Sequence, residues 1–351
     1  MRILFVIPAL TGGGAERQLE LLAKGLATMN HSVRVLHFQS EAPKRFAGDL
    51  TYRKLILASN YSPKLLTILY DEIRHWQPDI VQTWISQVDV AIGLLRVGRK
   101  FNWVIRESSD KGQRKPSLKL RLRRLLGRRA SCIVANSRNG LRYWRGQLPE
   151  DRLLYIPNGF EFSTTKATPN ATPPLQLLSV GRMIDSKQHD LTLDLFHHVL
   201  QFSEARLTIA GDGPLRKALG QRADELGIAG RVNFPGFLDR HQLNAAFVAA
   251  DWFVSFSAQE GMPNVVVEAA GFNLPMILSD IPGHREVIPT DAAIYVQTGD
   301  TRSIKKVAAR LRTGDTQQWT TMGRRAGGSV RHLSVAAMAR AYSTLYQQII
   351  G

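Results

Sequence analysis

Apolar and β-branched residues gather along the chain into short continuous runs, and between those runs the apolar positions fall three or four residues apart. In the first half the runs are RILFVI, SVRVLHF, TYRKLIL, DIVQTW, NWVIRES, SCIVANS and LLYIPNG. In the second half they are LQLLSVGR, ARLTIAGDG, RVNFPGF, DWFVSFS, PMILSD and AIYVQTG, alternating with segments of helical spacing such as HDLTLDLFHHVLQF. A strand that is apolar throughout is buried on both faces, and a strand–helix alternation needs crossover connections. The pattern therefore predicts parallel sheets covered by helices, and two such series predict two doubly wound α/β domains. The break falls in GFEFSTTKATPNATPP, rich in Thr, Pro and Asn and free of periodicity. The expected division is a first domain over 1–160, a second over 161–330, and a terminal helix over 331–351 that packs back on the first.

The chain has 351 residues, 44% of them apolar, enough for two cores of ordinary size. Its single cysteine, Cys132, lies in SCIVANS, which has the pattern of a buried strand, so neither a disulfide framework nor a Cys-rich metal site is expected. The opening MRILFVIPALTGGGAE has a charge and an apolar run, but the run is short and ends in glycines and Glu16, which fits a first strand better than a signal peptide. No run reaches the ~18–20 apolar residues that span a bilayer. A cytoplasmic protein, soluble or peripheral on the cytoplasmic face of the inner membrane, is the expectation.

The net charge of +17 is unevenly spread. Residues 1–160 hold 27 Lys and Arg against 12 Asp and Glu (27 − 12 = +15), and residues 161–351 hold 19 against 17 (19 − 17 = +2). Residues 111–130, KGQRKPSLKLRLRRLLGRRA, hold nine cations and no acid. Ser117 can cap a helix there, with Leu118, Leu122, Leu125 and Leu126 on one face and Arg121, Arg124 and Arg128 away from it, although LKLRLR also alternates with the period of a strand. A basic amphipathic helix suggests an anionic membrane surface, met by Arg121, Arg123, Arg124 and Arg128; a solvated basic face over a folded core is the plainer alternative. Nucleic acid is the other partner that such charge suggests, but no RNA-binding aromatic motif or zinc module is present, and the most basic segment lacks interleaved stacking aromatics.

In doubly wound sheets chemistry sits in the loops after the strands. After the first strand, TGGGAER (11–17) is neither a dinucleotide fingerprint, because Arg17 stands where a third glycine would be needed, nor a Walker loop. It is a Gly-rich turn at a helix start, either open to a ligand or simply tight. In the second half, VGRMIDSK sets Arg182 and Lys187 five residues apart, a pairing that suits a diphosphate but is also met in solvated loops. GDGP (211–214) follows, with Pro214 placed for the first turn of a helix. QEGMPNVVVE (259–268) then sets Glu260 beside a glycine and Glu268 inside an apolar run. Val265–Val267 favour a strand by propensity, whereas Pro263 and Gly271 bracket a short helix.

Taken together, GGGAER (12–17), IPNG (156–159), VGR with Lys187, GDGP, PGF (235–237) and EGMPNVVVE (260–268) resemble the GT-B-fold glycosyltransferases of the large family four, mostly retaining enzymes that use nucleotide-activated sugars. The resemblance implies two Rossmann-like doubly wound domains facing across a cleft, the first for the acceptor and the second for the nucleotide sugar. It implies a helix after Pro263, with Glu260 on the donor hexose, Glu268 on the ribose, and Arg182 and Lys187 on the diphosphate. Catalytic roles accordingly fall to Arg182, Lys187 and Glu260, and donor contacts to Gly13, Gly14, Gly211, Gly213, Gly261, Met262, Asn264 and Glu268. The chain has no D-x-D sequence, which disfavours a metal-bridged diphosphate, so no tightly bound cofactor or metal is expected. Many relatives carry a histidine after the strand that here reads NWVIRESSD; this chain offers Arg106, Glu107, Ser108 and Asp110 instead, and Glu16, Arg106 and Glu107 are the acceptor-side candidates. Glu107 is either a general base or a carboxylate paired with a nearby arginine. The implied function is transfer of a hexose-type sugar from a nucleoside-diphosphate sugar to a glycan or polyprenyl-linked acceptor, as in polysaccharide biosynthesis. A nucleotide-sugar epimerase of the same fold is the nearer alternative, and a basic nucleic-acid-binding protein the more distant one.

Overall fold

The structure is a computed structural model that describes residues 1–10, 13–38, 50–57, 62, 64–108, 117–165, 174–299, 301–313 and 315–351. Its contacts divide the chain into two compact units, Met1–Glu161 with Leu333–Gly351, and Phe162–His332. The first runs β1 (Arg2–Val6), α1 (Gly14–Ala27), β2 (Ser32–His37), β3 (Leu50–Lys54), α2 (Lys64–Trp76), β4 (Ile80–Trp84), α3 (Ser86–Leu95), β5 (Trp103–Glu107), α4 (Leu118–Gly127), β6 (Cys132–Ala135), α5 (Arg138–Trp144) and β7 (Leu153–Tyr155). The second runs β8 (Leu175–Val180), α6 (His189–Leu200), β9 (Ala205–Ala210), α7 (Arg216–Glu225), β10 (Val232–Gly236), α8 (Arg240–Ala249), β11 (Trp252–Ser255), α9 (Asn264–Gly271), β12 (Met276–Ser279), α10 (Pro282–Val287), β13 (Ile294–Val296), α11 (Thr301–Thr313) and α12 (Thr316–Val330). The last helix, α13 (Val335–Ile350), belongs to the first unit.

The sheets have the orders β3-β2-β1-β4-β5-β6-β7 and β10-β9-β8-β11-β12-β13, and their pairings are parallel. Every residue of β4, β5, β6, β11 and β12 is buried, as the continuous apolar runs require of strands covered on both faces. Each order reverses direction beside its first strand, so the topological switch points lie between β1 and β4 and between β8 and β11. Cys132 is buried in β6, where burial pushes its thiol up to about 12.

Helix α13 lays Met338, Ala339, Tyr342, Leu345 and Tyr346 into the core formed by Leu19, Leu22 and Leu26 of α1 and the first sheet. Tyr346 donates to Gln82 of β4 at 2.6 Å, and the chain is pinned at its return by Phe160 N to Leu333 O at 2.8 Å. Two ambiguities of the sequence are resolved as helix. Ser117 caps α4 through its side chain, which accepts from Leu120 N, and residues 265–267 lie in α9 despite their β-branched side chains. In α9 the period decides: Val266, Val267, Ala269 and Ala270 are buried while Glu268 keeps an edge to solvent. Pro214 falls in the turn before α7, which starts at Arg216, rather than inside its first turn. Among the described residues no helix is long and apolar enough to cross a membrane.

Candidate active site

In the second unit the loop after β8 cannot collapse onto its own strand, because Gly181 N bonds Ala210 O at 2.9 Å and Met183 N bonds Asp212 O at 2.9 Å. These bonds extend the β8–β9 pairing into the two loops. Gly211, at φ +132, makes this approach possible, since a Cβ there would lie 2.0 Å from Gly181 O; a Cβ on Gly213 would lie 2.5 Å from Met183 O. Gly211 and Gly213 therefore shape the VGRM loop against its neighbour, a backbone role beside the donor contact expected of them from the sequence.

The VGRM loop leaves Arg182 exposed and passes through a short 3-10 turn, Asp185–Lys187, into α6. On its other side it joins the loop after β11, where Ala258 N bonds Ser186 O at 3.0 Å. The switch point between β8 and β11 thus brings Lys187 onto Glu260: the Lys187 ammonium donates to Glu260 Oε1, and Ser257 Oγ donates to the same oxygen at 2.9 Å. Eight residues on, Glu268 accepts from Arg240 Nη1 at 3.0 Å, so the first residue of α8 is tied to the middle of α9. Gly261 is half-buried, Met262 is buried, and Asn264 is the first residue of α9. Phe237, after β10, is 74% exposed. The ensemble is a set of cations and carboxylates at strand ends and at the start of α9, able to hold a diphosphate and a set of hydroxyls.

Beneath the VGRM loop, His189 is buried with its Nδ1 3.4 Å from Ser179 Oγ. Burial is the main reason its imidazole is pushed from the ordinary 6.5 down to about 4. As pH falls through this window the unfolded chain takes up a proton that the folded chain refuses, so stability present above pH 6.5 is lost down to about pH 4. The loss is at most on the order of 3 kcal/mol. His189→Gln is expected to flatten this part of the curve in urea titrations at stepped pH, and a slope equal to that of wild type would contradict it.

The first unit places its candidates differently. Thr11 and Gly12 lie outside the described residues. Gly13 and Gly14 start α1, and the Glu16 carboxylate folds back over Gly13, where a Cβ would meet it at 2.3 Å. The helix N-terminus is thus faced by its own acid. Arg106 is 1% exposed; its Nη1 donates to Ile156 O at 2.9 Å and its Nη2 to Asn158 Oδ1 at 2.6 Å. Glu107 is 1% exposed and accepts from Arg123 Nη1 at 2.6 Å and Trp144 Nε1 at 3.1 Å. Both side chains are structural: Arg106 ties β5 to the IPN segment, and Glu107 is a buried counterion, not a base open to an acceptor. Asp110 lies outside the described residues.

Sequence reasoning missed Arg240, Ser257, Ser279 and His284 around the two glutamates, and Asp89 and Arg123 around Glu107. It also gave no sign that Ile85, at the β4–α3 turn, sits at φ +80. A β-branched residue there is a genuine outlier, and it marks the switch point of the first sheet. Among the described residues no group of three or more His, Cys, Asp or Glu side chains is gathered to hold a metal.

Two families match the chain: Glycosyltransferase Family 4 over residues 12–163 and Glycosyl transferases group 1 over residues 162–318. The GalNAc-alpha-(1->4)-GalNAc-alpha-(1->3)-diNAcBac-PP-undecaprenol alpha-1,4-N-acetyl-D-galactosaminyltransferase of Campylobacter jejuni is 26% identical over 295 residues, covering 80% of this chain and 79% of its own. Among solved structures, Anabaena HepE in complex with UDP-glucose superposes with a TM-score of 0.83 at 18% identity, over 99% of this chain and 100% of its own. Sucrose-phosphate synthase of Thermosynechococcus elongatus does so with a TM-score of 0.83 at 20% identity, over 99% and 98%. These two likenesses carry the fold. With one family match on each of its two parallel-sheet units, running together from residue 12 to residue 318, the chain belongs to the GT-B glycosyltransferases.

Proposed function

We propose that this glycosyltransferase moves a hexose-type sugar from a nucleoside-diphosphate sugar to a hydroxyl of a glycan or polyprenyl-linked acceptor, with retention and without a required metal. The observation that carries the reading is the Lys187–Glu260 pair at the β8/β11 switch point, next to exposed Arg182 and a few residues from the start of α9. When the anomeric carbon–oxygen bond breaks, the electron pair leaves with the diphosphate and the sugar becomes oxocarbenium-like. Arg182 and Lys187 face the departing charge, Glu260 holds hexose hydroxyls, and Glu268 holds the ribose.

The Campylobacter jejuni relative is named for an undecaprenol-diphosphate-linked acceptor, and the HepE complex contains UDP-glucose; both support this choice of substrates. The first unit binds the acceptor. With Arg106 and Glu107 buried, its recognition groups are better sought at the ends of β1 and β4, beside Glu16 and the strained Ile85. Peripheral association with an anionic membrane falls to α4 and the turn after it, where Arg121, Arg124, Arg128 and Arg129 are exposed along with Leu118 at 82% and Leu125 at 53%. Of the four leucines expected on one face, Leu118 and Leu125 are exposed and Leu126 is buried. Residues 111–116 of the basic run lie outside the described residues.

The test separates the two glutamates. Glu260→Gln is expected to impair transfer while leaving affinity for the free nucleoside diphosphate nearly intact, since that ligand has no hexose. Glu268→Gln is expected to weaken both the nucleoside diphosphate and the sugar nucleotide by about 1.5–3 kcal/mol, the worth of a charge-assisted hydrogen bond. Calorimetric titration of wild type and both variants with each ligand decides it. Identical profiles for the two variants would refute the assignment, and turnover of the sugar nucleotide without any acceptor would favour epimerisation.

A further inference from the structure

Glu260 is not held by Lys187 alone. Behind it runs a chain of buried hydrogen bonds from β11 across to β12 and into α10. Ser257, Ser279 and His284 are each 0% exposed. Ser257 N donates to Ser279 Oγ at 3.0 Å, and Ser279 Oγ donates back to Ser257 O at 2.9 Å, so the two serines lock the ends of their strands together. His284 Nδ1 lies 2.9 Å from Ser279 O. A carbonyl can only accept, so Nδ1 carries the proton and the ring fixes the Ser279 backbone. Burial lowers the imidazole's pKa and keeps it neutral in this role. Next to His284, Gly283 packs against Glu260 so closely that a Cβ would lie 2.7 Å from Glu260 O and 2.8 Å from its Cβ.

We propose that Ser257, seated by Ser279 and His284, is the positioning residue that sets the Glu260 carboxylate for the transferred sugar. The inference rests on the donor-site reading of Glu260 above. Ser257 Oγ and the Lys187 ammonium donate to the same oxygen, Oε1, which leaves the accepting capacity of Oε2 for a substrate hydroxyl. Two donors on one oxygen also fix the carboxylate plane, which a single flexible lysine does not. The arrangement sits on strand ends and a buried seam, where a rotamer is held most tightly.

The test compares UDP with UDP-glucose, and GDP with GDP-mannose, as ligands. Ser257→Ala is expected to weaken binding of the sugar nucleotide and to lower its turnover by roughly tenfold or more, the worth of a hydrogen bond to a charged group. Affinity for the corresponding free diphosphate should stay within about twofold of wild type, because that ligand does not reach Glu260. Measured on donor affinity, Ser257→Ala should add nothing to Glu260→Ala, since it acts only through that carboxylate. Ser257→Cys, nearly the same size and a weak donor, should give the same signature if the alanine variant does not fold. Equal weakening of the diphosphate and the sugar nucleotide, or additive effects in the cycle, would overturn the inference while leaving the donor site standing. A wild-type protein that binds none of the four ligands would overturn the donor-site reading and the inference with it.

Discussion

Lys187→Ala is expected to lower turnover by roughly 10²- to 10³-fold, or about 2.7–4 kcal/mol, the cost of removing one preorganised group from the place where charge develops. The lysine ends a 3-10 turn whose path is fixed by backbone bonds on both sides, from Met183 N to Asp212 O and from Ala258 N to Ser186 O, so its ammonium is placed before any ligand arrives. It is 22% exposed, which limits screening by water, and its partner Glu260 is 11% exposed. The ammonium rests on Glu260. On the proposed reading, the diphosphate is a second acceptor for the same cation, and Lys187 serves both the carboxylate that orients the sugar and the leaving group that the sugar must release. The role predicts a fall in kcat as well as in kcat/KM, with initial rates measured at saturating donor. A change confined to KM would mean that the lysine binds ground state and transition state alike, and would contradict the role.

Much of this was legible in the sequence, for physical reasons that also explain what was not. Continuous apolar runs such as IVQTW and CIVA are diagnostic of strands buried on both faces, and all of their residues are buried. The loop positions of Arg182, Lys187 and Glu260 followed from the rule that ligands meet strand ends. A pairing across 73 residues, such as Lys187 with Glu260, depends on strand order, and strand order is not written in any local pattern. The same holds for Arg240 with Glu268, and for Ser257 with Ser279, whose side chains look like ordinary small polar residues in apolar runs. Gly211 and Gly213 look like ligand-cradling residues, and they are also demanded by the backbone of the neighbouring loop, which no local pattern shows. Period alone also could not place Arg123, which was expected among the surface cations of α4 and instead faces the core.

That arginine carries the largest expected effect on stability. Arg123 donates through Nε to Asp89 Oδ2 at 2.5 Å and through Nη1 to Glu107 Oε2 at 2.6 Å, and its guanidinium lies over Trp144 at 4.8 Å. None of the three charged side chains is more than 1% exposed. Burial works against the guanidinium's charge, yet the two carboxylates beside it raise its pKa well above the ordinary value. Arg123→Ala removes the one cation and leaves two carboxylates in the core, a change that costs about 3–5 kcal/mol. That is a large part of the ~5–15 kcal/mol by which a typical domain is stable. A marked drop in the melting temperature is expected, together with partial recovery when Asp89 and Glu107 are also made apolar. Arg121, Arg124 and Arg128 stand on the exposed side of the same helix. Replacing these three by Ser should leave the melting temperature within a degree or two, as surface changes do, while weakening salt-sensitive binding to vesicles containing an anionic lipid. A variant of Arg123 that melts like wild type would overturn the buried-triad account. Vesicle binding unchanged in the triple variant would remove α4 from the membrane contact, so the two sides of one helix are tested separately.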